Sequence, residues 1–327
     1  MKHIDIPQKS DLDGTAIPQF RDCGDIRHNL DRTGITREDI AVEYCVAIRT
    51  QVLDRLRVLP MNGTEDAALA LLALRHAGAD PVPLLRQQQA SGAWSAFPGV
   101  DMPSAYHTAL ALLALQPYRI TAMRQAADRG FEFLSELRGR ESHWLWQWKF
   151  RLVDRQVRFD PSKSGWPWVV GTVSWVAPTA LAILAFRSWR LQSARVSAGA
   201  DMLLDRACPL GGWNAGNSVV FGVELDPHPD FTAMAALALL HSGHGKEAIV
   251  RRSLDYLVDR LGAANSPYSL AWATIALSAY GHEGADRLRS RLETGLVSRV
   301  AKVPAPTLGV AALALERPVF AFEESTP

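Results

Sequence analysis

Gly211-Gly212-Trp213, then a polar connector, then Thr232-Ala233-Met234-Ala235-Ala236-Leu237: this stretch decides the fold, because it is the third copy of one pattern. The first copy runs from Gly92-Ala93-Trp94 to Thr108-Ala109-Leu110-Ala111-Leu112-Leu113. The second runs from Gly165-Trp166-Pro167-Trp168 to Thr179-Ala180-Leu181-Ala182-Ile183-Leu184. Each is a glycine–tryptophan turn leading into Thr-Ala at the start of an apolar helix. Repetition of a supersecondary unit sets architecture before any single residue sets chemistry.

Apolar, Ala- and Leu-rich helices are predicted to begin near Glu65, Ala105, Thr179, Phe231, Ser269 and Pro306. A helix that is hydrophobic on nearly every face must be buried on nearly every face. Amphipathic segments alternate with them: Arg37–Arg57, a short stretch near Leu84–Gln89, Thr121–Arg138, Val196–Arg206, Glu247–Leu261 and Ala285–Val300. In one of these, Leu254, Leu257 and Leu261 recur at helical spacing with Arg251, Arg252, Asp255 and Asp259 between them. Six inner and six outer helices in alternation imply an all-α fold, an (α/α)6 toroid; an open helical solenoid uses the same hairpins. His143-Trp144-Leu145-Trp146-Gln147-Trp148-Lys149-Phe150-Arg151-Leu152 alternates strictly, which is strand periodicity. With Val157-Arg158-Phe159 returning, it reads as a short β-hairpin-like insertion. Residues 1–36 form an N-terminal extension, 37–316 the toroid domain and 317–327 a C-terminal tail.

A chain of 327 residues, 48% hydrophobic and 21% charged, can bury a large core as one domain. Its net charge of +1 provides no field to gather nucleic acid. Cys23, Cys45 and Cys208 are widely spaced and odd in number, which points to a reducing cytoplasm rather than a disulfide framework. No secretory signal opens the chain. Ser164–Phe186 carries no formal charge, but Pro167, Gly171 and Pro178 divide it into a turn and a buried helix rather than a membrane span. Peripheral contact with a membrane remains compatible with an apolar rim, and the oligomeric state is not legible. There is no Gly-rich phosphate loop, no His-Glu-x-x-His and no Gly-x-Ser-x-Gly.

From about Glu65 to Tyr280 the cassettes resemble the repeats of the squalene–hopene cyclase and prenyltransferase family, in which such turns staple outer to inner helices of an α-toroid. The resemblance implies a central cavity for an isoprenoid or similarly apolar substrate. The zinc-dependent branch of that family needs an Asp-x-Cys pair, and Asp205 and Cys208 have the wrong spacing, so no metal or other cofactor is expected. The cyclase branch carries Asp-x-Asp-Asp-Thr-Ala, whose middle Asp protonates an alkene or epoxide. Matched in repeat order, Trp175-Val176-Ala177-Pro178-Thr179-Ala180 keeps only Thr-Ala. The following cassette, Leu225-Asp226-Pro227-His228-Pro229-Asp230-Phe231-Thr232-Ala233-Met234, supplies a carboxylate at the start of an inner helix. A second register lays His228-Pro229-Asp230-Phe231 on the acid motif itself.

Asp230 is accordingly the candidate proton donor or its partner, with His228 and His107 as auxiliaries. Asp230 is equally suited to be a helix N-cap, a role that would lower its pKa where a donor needs to keep its proton. Trp94, Trp166 and Trp213 read as staples. Tyr106, Trp168, Trp175, Phe231, Tyr268 and Trp272 lie near inner-helix starts and could line a cavity, where aromatic faces steady a carbocation. Lys149 and Arg158, on the insertion, could meet a head group. The resulting expectation is proton-initiated, class II-type cyclisation or isomerisation by a terpene cyclase-like protein. The competing expectation is a non-catalytic toroid that binds an isoprenoid, another lipid or a protein.

Overall fold

The computed structural model describes residues 37–118, 120–152, 159–261, 266–297 and 299–316. The expected N-terminal extension and C-terminal tail, and Arg158, lie outside them. The chain separates into two units, Met1–Val46 and Ala47–Pro327. Among the described residues the first unit holds only the start of helix α1, and the helical fold belongs to the second.

Six helices are apolar all round: α2 (Thr64–Ala73), α4 (Ala105–Leu115), α7 (Val176–Ser188), α9 (Pro229–His241), α11 (Pro267–Ala279) and α13 (Ala305–Ala314). They coincide with the six predicted from the sequence, and their Ala, Leu and Ile side chains form the core. Each packs on the next in chain order, and α13 packs back on α2, so the contacts close in a cycle. The amphipathic helices α3 (Val82–Leu85), α5 (Thr121–Glu136), α8 (Ala194–Arg206), α10 (Ala248–Leu261) and α12 (Gly284–Val297) each lie on one of these. Helix α1 (Arg37–Val58) reaches the last, Arg49 Nε donating to the Ala312 carbonyl at 3.4 Å. Apolar helices with buried flanks on both sides need an outer layer whose own apolar stripe faces inward, and the alternation supplies it.

The cassettes hold the two layers together in three places. The Trp94, Trp166 and Trp213 side chains are 0% exposed. Their indole N–H groups donate to the carbonyls of Leu84, Leu134 and Leu203 at 2.9, 2.7 and 2.6 Å, near the ends of α3, α5 and α8. Their backbone N–H groups donate to the hydroxyls of Thr108, Thr179 and Thr232, at 3.0, 2.9 and 2.9 Å, on the inner helices that come next in the chain. The Thr of Thr-Ala is therefore an acceptor for a buried amide. Room for the rings comes from glycines on the outer helices: a Cβ at Gly199 would stand 2.8 Å from the Trp166 ring, and one at Gly130 3.3 Å from the Trp94 ring.

One predicted element is corrected. Residues Trp144–Leu152 form a helix, α6, and not a strand. Two residues on a helix subtend about 200°, so aromatics at every second position fall into two opposite stripes instead of one strand face. Trp146 and Phe150 share one stripe, ring centroids 6.0 Å apart, with Phe150 against Phe159 at 5.1 Å. Trp144 and Trp148 share the other and are exposed. Arg140 and Lys149 sit over the Trp146 ring at 4.8 and 4.6 Å. The two-stranded sheet in the described residues lies elsewhere: β1 (Val219–Val220) pairs antiparallel with β2 (Val223–Glu224) ahead of α9. No helix is long and apolar enough to cross a membrane among the described residues.

The staples generate a stability prediction. Thr232→Val leaves the buried Trp213 amide without its acceptor, and Gly199→Ala drives a methyl group into the Trp166 ring. Each is expected to destabilise the fold by about 1–3 kcal/mol. Urea denaturation checks both; midpoints equal to that of the native chain would contradict the staple.

Candidate active site

The N-terminal turns of α2, α4, α9 and α11 carry polar and aromatic side chains into an otherwise apolar core. Ser104 caps α4 with its hydroxyl, and Tyr106 and His107 come next in the first turn. Ser266 caps α11, which places Tyr268 in its first turn and buried Trp272 one turn on. Glu65 lies in the first turn of α2. Three of these meet. Tyr106 Oη donates to Glu65 Oε1 at 3.0 Å and Tyr268 Oη to the same oxygen at 3.3 Å. The two hydroxyls are 3.5 Å apart. Helices α2 and α11 are not successive in the cycle of contacts, because α13 packs between them.

Burial pushes the Glu65 carboxyl above its ordinary value of 4.5, against the lowering effect of the two tyrosine hydrogen bonds; the neighbouring Asp66 charge adds to the rise. Burial likewise raises both tyrosines, Tyr106 strongly, so both stay protonated and donate. Aromatic faces surround them. The Trp168 ring lies 4.5 Å from that of Tyr106, and the Trp272 ring 6.4 Å from that of Tyr268.

Of the expected site residues, the structure therefore gathers Tyr106, Tyr268, Trp168 and Trp272 around a carboxyl. His107 adjoins them, its ring 5.2 Å from Tyr106 and its Nδ1 2.9 Å from Ser104 Oγ. Burial lowers it to about 4. Asp230 sits in the first turn of α9, half-buried. The N-cap position is held by His228, so the expected capping role of Asp230 is corrected, and its side chain makes no hydrogen bond among the described residues. Its charge is nevertheless felt at Tyr268, whose pKa it helps to raise. His228 is exposed, with its ring 5.7 Å from Phe231. Trp175 packs on Gly216, and Lys149 is exposed on α6. Ala177 and Pro178, which stand at the expected place of the acid motif, are buried in the core. Among the described residues no group of three or more His, Cys, Asp or Glu side chains comes together as metal ligands do.

Sequence reasoning misses Glu65 as a site residue. It precedes the first cassette, so repeat order gives it no counterpart, although it opens one of the predicted apolar helices. The signal that could have found it is an acidic pair, Glu65-Asp66, opening a segment that is otherwise apolar.

No protein-family model matches the chain, and no curated protein matches it. Among solved structures it is similar to a variant of the type II terpene cyclase MstE from Scytonema in complex with merosterolic acid A, its product. The identity is 14% and the TM-score 0.51, over 81% of this chain and 82% of that one. This is a likeness of fold. The chain is also similar to E. coli alpha-2-macroglobulin at 12% identity and a TM-score of 0.45, over 83% of this chain and 17% of that one.

The site generates a pH prediction. A histidine held to about 4 when its ordinary value is 6.5 stabilises the fold above pH 6.5 relative to low pH, and that contribution is lost as pH falls toward 4. Between those values His107→Gln is expected to lose less stability than the native chain. Urea melts across that range test this, and parallel pH slopes would contradict it.

Proposed function

We propose that the chain is a terpene cyclase-like (α/α)6 toroid that takes an isoprenoid or other apolar substrate into a central cavity and cyclises or isomerises it by proton-initiated chemistry. The observation that carries this reading is the cluster at the N-terminal turns of the apolar helices. It combines a carboxyl raised above its ordinary value with tyrosine and tryptophan faces at Tyr106, Trp168, Tyr268 and Trp272. Such chemistry needs an acid that keeps its proton until substrate arrives, and dry aromatic faces for the cation that forms. Each face contributes about 0.5–2 kcal/mol to that cation. Asp230 lies near Tyr268 and serves as the donor when protonated or as electrostatic partner of the cation when ionised, with His107 as a neutral neighbour and His228 at the rim.

The expected result is that purified protein converts a linear isoprenoid such as geranylgeraniol or squalene to an isomer, and that Asp230→Asn lowers turnover about 10²-fold or more. Product analysis by mass spectrometry measures both. Undiminished turnover in Asp230→Asn removes that residue from the mechanism.

A second reading, a non-catalytic toroid that only binds such a molecule, is favoured by Ala177 and Pro178 at the expected acid position. It predicts quenching of tryptophan fluorescence by the isoprenoid with no product formed.

A further inference from the structure

We infer that Glu65 is the residue that delivers the proton, with Tyr106 and Tyr268 donating hydrogen bonds to the carboxylate left behind; the inference rests on the proton-initiated reading above. The geometry is specific. Both hydroxyls reach the same oxygen, Glu65 Oε1, at 3.0 and 3.3 Å. Oε1 is occupied as an acceptor, so the acidic proton sits on Oε2. An alkene is a weak base, and the acid that protonates it must satisfy opposite demands. It must hold a proton before transfer, which burial favours by raising the Glu65 carboxyl above its ordinary value. It must also be strong at the moment of transfer, which preorganised donors to the conjugate base provide, since they gain strength as charge develops. Glu65 meets both demands with residues from α2, α4 and α11. Asp230 is half-buried too, but among the described residues it has no such pair of hydroxyl donors.

The step balances without an oxidant or a second reactant. The electron pair of the substrate double bond takes the Oε2 proton, so a C–H bond forms as the O–H bond breaks, and the positive charge moves to the other carbon. Remaining double bonds of the substrate add to that carbon in turn. A neighbouring C–H then gives its electron pair to a new double bond, and its proton passes back to the Glu65 carboxylate, restoring the acid. Substrate and product are isomers. The tyrosines act on the Glu65 oxygen and keep their own protons, because both are held well above neutral pKa.

Two measurements test this on the full chain. Difference infrared spectroscopy is expected to find a protonated carboxyl band that is missing from Glu65→Gln and titrates above 4.5. The groups that set it are Tyr106, Tyr268 and Asp66, and the double variant Tyr106→Phe with Tyr268→Phe is expected to move the midpoint further up, because two donors to the carboxylate are gone. A band at the ordinary carboxylate position, or none that depends on Glu65, overturns the inference whatever the substrate. In heavy water with geranylgeraniol or squalene as probe, the native chain is expected to place one deuteron in the product. Glu65→Gln is expected to lose about 10²–10⁴-fold in rate while quenching of its tryptophan fluorescence reports unchanged probe binding. Full turnover in Glu65→Gln overturns the role of Glu65 and leaves proton-initiated chemistry standing. Probe binding to the native chain without deuterium incorporation overturns the chemistry itself, and the role of Glu65 with it.

Discussion

A buried tryptophan that donates from its indole N–H and from its backbone N–H organises each of the three cassettes. Each buried tryptophan of the three cassettes ties an outer helix through its side chain and an inner helix through its backbone. The two bonds fix the turn between layers from both sides. The ring fills the space between them, which is why glycine is needed opposite at Gly130 and Gly199. Helices of alanine and leucine have few distinguishing features of their own and could slide or rotate against one another. The staples remove that freedom, since a directional bond to a single threonine hydroxyl has one register.

On α4 that register bears on the polar cluster, because stapled Thr108 and Tyr106 share a helix. A carboxyl with two tyrosines among apolar helices loses hydration that only correctly placed partners return. Glu65, Tyr106 and Tyr268 each ride on a first helical turn, where one residue of slippage would swing the side chain by about 100°. The amphipathic outer layer contributes nothing to the cluster directly. Its part is to hold the inner helices still, while the inner helices supply the residues.

The scaffold is legible in the sequence and the site only in part. The inner helices, their outer partners and the staple tryptophans follow from hydrophobicity and repetition, because burial on all faces is written in composition. The insertion fails at Trp144–Leu152 because alternation at every second position describes either one face of a strand or two faces of a helix, and nothing in nine residues separates them. Tyr106, Tyr268 and Trp272 are found by their place at inner-helix starts. Glu65 escapes because its significance lies in contacts to residues 41 and 203 positions away, which no local pattern encodes. The capping role expected of Asp230 fails, since His228 occupies the cap and Pro229 the first turn.

The separation between Glu65 and Tyr268 has a consequence for how the protein comes into being. Helices α2 and α11, which hold the pair, lie far apart along the chain, so their contact is one of the last that folding can complete. Until α11 and α13 dock, Glu65 faces water and behaves as an ordinary surface glutamate. In the function proposed above, proton-donating strength is thus not a property of the residue or of its helix: it arises only when the contact cycle shuts, so an incompletely folded chain would hold no acid with which to attack a substrate.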